Sequence, residues 1–258
     1  MLIDSHAHIT SAACLPDADA LIAAAQAAGV GSIVNICTDA ASMAAGVDLR
    51  RRYPQVFNAG ATTPHDVEKE GEECFELFAS HARNGDLVAV GETGLDYYYE
   101  HSPRVLQQEF LVRYLKLALE CRLPVVIHCR DAFSDFFRFL DAHYTVNGQH
   151  APGVLHCFTG DEKEAKEVVS RGWFLSLSGI VTYKKSAILK DVAKAVPLDN
   201  LLIETDSPYL APESKRGRKN QPAYIIETAQ VIADLKGIPF ETVAAATAEN
   251  ARRLFSLR

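Results

Sequence analysis

Six residues in this chain have the types and spacing to hold metal ions: His6, His8, Glu92, His128, His156 and Asp206. His6 and His8 are two positions apart, and on an extended strand such residues project to the same side, so two imidazoles can share one ion. Asp4 has the same parity and lies one layer deeper. Imidazole with carboxylate suits Zn²⁺, Mn²⁺ and other borderline ions, and suits Mg²⁺ less well. Six donors exceed what one catalytic ion takes, commonly three protein ligands plus water. Two ions sharing a carboxylate is the simple solution, and Glu92, from the middle of the set, is the natural bridge. Such a pair, about 3.5–4 Å apart, activates a water and clamps the attacking and leaving oxygens of a displacement. A lone strand-end histidine is more often a satisfied polar residue than a ligand. The weight therefore rests on the joint pattern.

The elements that must position these residues are short apolar runs at 2–8, 30–37, 56–62, 86–92, 123–129, 153–158, 173–178 and 201–206. Each has the length and β-branched content of a buried parallel strand. Between them lie segments with apolar residues every three or four positions. The clearest is 102–122, opened by Ser102-Pro103 as cap and first-turn proline; 161–171 starts Asp161-Glu162 and stops at Gly172, and 222–237 and 239–255 read as two final helices. Eight strands alternating with helices predict an α/β protein, a single (β/α)₈ TIM barrel over residues 1–258. An open doubly wound sheet is the alternative. Five of the eight runs end in or carry a donor residue, and in a barrel the strand C-termini face the active site.

Composition narrows the classes. The 258 residues carry 26 Lys+Arg and 33 Asp+Glu, a net charge of −7, which argues against wholesale coating of nucleic acid. No run is long and apolar enough to span a membrane, and Met-Leu-Ile-Asp-Ser-His does not read as a signal peptide. The six cysteines form no Cys-x-x-Cys pair, which fits reduced thiols in the cytoplasm. Cys129 and Cys157 follow proposed ligands and read as core thiols on the opposite strand face. His81, His101, His143 and His150 read as solvated. Tyr97-Tyr98-Tyr99 reads as packing ahead of base or sugar stacking. Lys215-Arg216-Gly217-Arg218-Lys219 has the bland reading of a solvated charge run. Its predicted place at the active-site mouth also suits a phosphate-bearing substrate.

Taken together, IDSHAHI (3–9), VGETGLDYY (90–98), PVVIHCRDA (124–132), VLHCFTG (154–160), LLIETDSPYL (201–210), RKNQPAYI (218–225) and ENARRLF (249–255) resemble the TatD family of metal-dependent hydrolases, in the family's order over essentially the whole chain. The resemblance implies that His6, His8, Glu92 and Asp206 hold one divalent ion and Glu92, His128 and His156 a second. It also implies a Mg²⁺-, Mn²⁺- or Zn²⁺-dependent deoxyribonuclease, often a 3′-to-5′ exonuclease on single strands. One motif departs. The family commonly has Gly-x-His-Pro-His-Asp after the third strand, where this chain has Gly60-Ala61-Thr62-Thr63-Pro64-His65-Asp66. His65 matches the second histidine and Thr63 replaces the first, which bears on rate and substrate choice more than on metal binding.

The expected reaction is phosphodiester hydrolysis, with DNA or another phosphodiester as substrate and the chain acting as a monomer. Asp206 accepts the water's proton, Glu92 bridges, and His65, Thr63, Arg130, Lys215, Arg216 and Arg218 contact or neutralise phosphate. Arg130 could instead brace the metal ligands. Ester or amide hydrolysis, such as deacylation of a charged RNA, is the alternative, because the fold does not set the substrate. A binding module without catalysis is the third reading.

Overall fold

A computed structural model of the chain describes residues 1–145, 148 and 150–257. Its eight strands are β1 (Leu2–Ala7), β2 (Val30–Cys37), β3 (Val56–Gly60), β4 (Ala89–Asp96), β5 (Val125–Arg130), β6 (Val154–Leu155), β7 (Phe174–Leu177) and β8 (Leu201–Ile203). All pair in parallel, each with the next in the chain. The helices are α1 (Ala18–Ala27), α2 (Ala40–Arg52), α3 (Val67–Asn84), α4 (Arg104–Cys121), α5 (Phe133–His143), α6 (Glu162–Ser170), α7 (Ala187–Ala195), α8 (Ile225–Lys236) and α9 (Phe240–Phe255). Beyond β8 the ring is closed onto β1: Asp206 N–H donates to the His6 carbonyl at 2.9 Å and His8 N–H to the Ser207 carbonyl at 2.8 Å. This is the (β/α)₈ barrel that the alternation predicts.

Helix starts follow local chemistry. Asp161 caps α6 by accepting from Lys163 and Glu164 N–H groups while the Glu164 side chain reaches back, and Asp39 does the same for α2 with Ser42. Inside the barrel, one or two apolar residues from every strand, among them Ile3, Val34, Val126 and Phe174, pack with Ala248, Ala251, Leu254 and Phe255 of α9. That helix covers the end of the barrel where the strands begin.

The regular ladder is shorter than the apolar runs at the site. β6 has two residues and β8 three, and β4 runs to Asp96, past the expected end at Glu92. On β6 and β8 the regular pairing stops short of the donors His156 and Asp206. Cys157 and Asp206 there take left-handed backbones, φ 41° and 56°. On β4, Gly94 (φ 148°) pairs with His128; a Cβ at that position would lie 1.9 Å from the His128 carbonyl oxygen. Only glycine lets β4 lie this close to β5.

All six cysteines are free thiols; Cys14, Cys37, Cys74 and Cys129 are buried. Both Cys129 and Cys157 reach the cavity wall; Cys129 is buried as expected, and half-buried Cys157, on a left-handed backbone, departs from the core-thiol expectation. No helix among the described residues is long and apolar enough to cross a membrane.

Candidate metal centre

The strand ends bring all six expected donors into one cluster at the open end of the barrel. His6 Nε2 lies 3.1 Å from His8 Nε2 and 3.3 Å from Glu92 Oε2. His8 Nε2 is 3.5 Å from the same Glu92 oxygen, and both imidazoles are 3.5 Å from Asp206 Oδ1. The other Glu92 oxygen, Oε1, faces a second set: His156 Nε2 at 3.1 Å and His128 Nδ1 at 3.2 Å, with 3.4 Å between those two nitrogens. The His6 and His156 rings stack, 3.9 Å apart and 7° from parallel, across the two halves.

These spacings fit divalent ions. Four donors held tetrahedrally at about 2.0–2.1 Å from an ion lie about 3.3–3.4 Å from one another. In the first set His6, His8 and Glu92 lie at about that mutual distance, with Asp206 Oδ1 3.5 Å from both imidazoles, and such a buried group of donors is a costly arrangement without a cation between them. The electrostatics agree. Burial by itself would raise the Glu92 carboxyl, yet His156, His128 and His6 hold it well below the usual carboxylate range. Burial likewise works against charging His156, but Glu92 and Glu204 draw its pKa well above the usual imidazole value. Both shifts arise from the close approach of buried carboxylates and imidazoles in one cluster.

Two carboxylates that the motif reading passed over stand behind the ligand rings. Asp96 Oδ2 lies 2.8 Å from His128 Nε2, which orients the ring with Nδ1 toward Glu92. Glu204 is 3.5 Å from His156 Nδ1 and accepts from the Cys157 backbone N–H at 2.6 Å. A sequence signal existed for both: Asp96 is four residues beyond Glu92 on β4, and Glu204 is two before Asp206, each with the parity of the donor.

The cluster floors a cavity of about 430 Å³. Its walls include Thr63, His65, Tyr99, Arg130, Cys157 and Tyr209. His65 lies with Nε2 3.6 Å from Asp96 and its ring 5.3 Å from that of His128. Burial and the neighbouring His128 lower its pKa. Thr63 Oγ1 donates to Asp66 at 2.9 Å, which commits the hydroxyl proton expected for substrate. Arg130 lies over the Tyr98 ring at 4.2 Å. Tyr98 and Tyr99 are exposed, against the packing expectation, while Tyr97 packs against the core; His101 is exposed, as expected, and stacks on Tyr99. His81 pairs with Asp86 and His143 stacks on Phe139, both away from the cavity.

The basic loop does not line this cavity. Lys215 faces Glu227 at 3.9 Å, Arg216 sits over the Tyr183 ring at 4.8 Å, and Lys219 bonds the Ala13 carbonyl and lies 3.5 Å from Asp17. Two of its four cations, Lys215 and Lys219, face carboxylates, while Arg216 and Arg218 remain exposed.

The sequence profile of the family described as "TatD related DNase" matches residues 3–256. The chain belongs to the TatD family. It is 36% identical over 257 residues to YabD, an uncharacterized metal-dependent hydrolase of Bacillus subtilis, with both chains covered in full. A Citrobacter rodentium relative called "3'-5' ssDNA/RNA exonuclease TatD" is 33% identical over 262 residues, covering 99% of this chain and 98% of its own. The crystal structure of the Escherichia coli TatD homologue YjjV superposes with a TM-score of 0.92 at 29% identity, covering 100% of this chain and 98% of that one. As a TatD chain it is a metal-dependent hydrolase, and the His/Asp/Glu cluster at the barrel mouth is its candidate metal-binding centre.

Proposed function

We propose that the protein hydrolyses phosphodiester bonds of single-stranded nucleic acid, trimming from the 3′ end. The observation that carries the reading is Glu92, whose two oxygens face two separate donor sets. On this reading His6, His8, Glu92 and Asp206 hold one divalent ion, and Glu92, His128 and His156 hold the other. Bound Zn²⁺, Mn²⁺ or Mg²⁺ would acidify a water and neutralise phosphate charge. The name of the Citrobacter relative supports the substrate and polarity.

The chain's own groups do the rest. Asp206 is held as a carboxylate: burial opposes this, but His8 and His6 keep its pKa low. Its Oδ1 faces the two imidazoles, which leaves Oδ2 to accept the attacking water's proton. Arg130, at the cavity wall, supplies the fixed positive charge for a non-bridging phosphate oxygen. His65, at the cavity wall, positions phosphate by a hydrogen bond. The Thr63 hydroxyl acts through Asp66, and Lys215, Arg216 and Arg218 contribute to the long-range field rather than to contacts at the reacting phosphate.

Digestion of end-labelled single- and double-stranded DNA with and without added metal, beside a Glu92→Ala control, tests this. The expected result is a metal-dependent ladder shortening from the 3′ end of single strands, absent in the control. Intact oligonucleotides with metal shown to be bound would overturn it, and cleavage of acyl esters by the same preparation would put the ester reading in its place.

A further inference from the structure

We propose that Tyr99 and Tyr209 are nucleobase-stacking subsites, one on each side of the metal centre, so that the base on either flank of the scissile phosphate lies on a tyrosine. The inference rests on the phosphodiesterase reading of the same site. Among the described residues, seven large apolar side chains are exposed, and three are tyrosines: Tyr98, Tyr99 and Tyr209, each more than half exposed. Tyr99 and Tyr209 also line the cavity. Exposed aromatic rings beside a phosphate-sized site have the chemistry of a base platform, since every nucleobase offers a π-face.

Placement decides the assignment. The Tyr209 ring stands edge-on to His8, 5.8 Å away, on the half of the cluster formed by His6, His8 and Asp206. Tyr99 stands 6.0 Å from His65, which in turn lies 5.3 Å from His128 on the other half. Both rings are anchored to the site through backbone. Tyr98 and Tyr99 N–H groups donate to Asp96 Oδ1 at 3.0 and 2.8 Å, while the other oxygen of Asp96 holds His128. Tyr209 N–H donates to the Asp206 carbonyl at 2.9 Å. The platform and the reacting centre are therefore positioned by the same residues.

Tyr99 is also braced as a surface. His101 stacks beneath it, 5° from parallel, Tyr98 packs edge-on at 4.8 Å, and the Arg130 guanidinium lies 5.3 Å from its centroid. A pre-oriented ring loses little entropy when a base lands on it. A duplex hides the faces of its bases in its own stack, so this arrangement selects unpaired strands.

The test is steady-state hydrolysis of oligothymidylate by metal-loaded protein and by Tyr99→Ala and Tyr209→Ala, repeated on oligonucleotides abasic on one or the other side of the cleaved linkage. Each substitution is expected to raise KM by about fivefold to a hundredfold, with a smaller change in kcat. Each effect should vanish when the matching base is missing and persist when the opposite base is missing, and tryptophan at either position should restore binding. Wild-type KM in both alanine variants, or losses that multiply with the abasic losses, would overturn the proposal and leave the phosphodiesterase reading standing. If the wild type cleaves no oligonucleotide, that reading falls, and fluorescence anisotropy of a labelled strand decides the subsites alone. Tyrosine-dependent binding would then support them, and tyrosine-independent or absent binding would overturn them.

Discussion

Glu204 shows how a residue two positions from a donor can serve the site without touching substrate. Its Oε1 takes the Cys157 amide and faces His156 Nδ1. A carboxylate behind a ligating imidazole sets its tautomer and raises its basicity. Glu204→Gln keeps an oxygen for the Cys157 amide and removes the charge. It is expected to weaken binding at the His128/His156 half by about 10–100-fold with the fold unchanged. Calorimetric titration with Zn²⁺ or Mn²⁺ and far-ultraviolet circular dichroism measure both; unchanged affinity would reduce Glu204 to a backbone partner.

At the scale of the element, two contacts place the strands. Gly94→Ala would force a Cβ into the His128 carbonyl from a backbone that L-residues avoid. A loss of about 2–4 kcal/mol is expected, with metal lost first from the half containing His128. Urea unfolding and metal content after dialysis check this, and a variant as stable and as metal-rich as wild type would contradict it. Asp4 ties β1 to the segment after β8, accepting from Thr205 N at 2.9 Å and Thr205 Oγ1 at 2.6 Å. Burial pushes its pKa up to about 8 from 3.8, against the opposing hydrogen bonds from Thr205. The folded chain thus binds a proton that the unfolded chain has released between those two values. Its contribution to stability is full below the lower value and is lost as pH rises toward the upper. In metal-stripped protein, Asp4→Asn should flatten that decline in unfolding free energy. Asp4→Ala should cost about 2–4 kcal/mol by leaving the Thr205 donors unpaired. Parallel pH slopes for wild type and Asp4→Asn would show that Asp4 is ionised throughout.

For the molecule as a whole, charge limits how nucleic acid is held. A net −7 chain whose basic loop lies outside the cavity, with Lys215 and Lys219 beside Glu227 and Asp17, has few cations to offer a phosphate backbone at the site itself. Binding of single strands should therefore depend weakly on salt. The slope of log K against log salt should lie between about −1 and −3, since each neutralised phosphate of a single strand contributes about −0.7. A slope steeper than about −5 in an anisotropy titration would mean that residues 215–219 grip the strand directly.

Alternating strand and helix periodicity, with donor residues at strand ends, was enough to predict the barrel and to name the six residues that meet at its mouth. Both are consequences of period and parity, which are written along the chain. Residue type alone left several other roles open. Asp96 and Glu204 were there to be found, four and two residues from named donors, but nothing local says which carboxylate faces an ion and which stands behind an imidazole. Nor could the sequence foretell that Thr63 gives its proton to Asp66, that burial and His128 lower the His65 pKa, or that Cys157 comes to the cavity wall. The basic loop had the right charge, and its acidic and aromatic neighbours, distant in the chain, turned it from the cavity. These are matters of which groups become neighbours across strands and loops, and distances of 3 Å between residues 60 to 200 apart exist only once the barrel has closed.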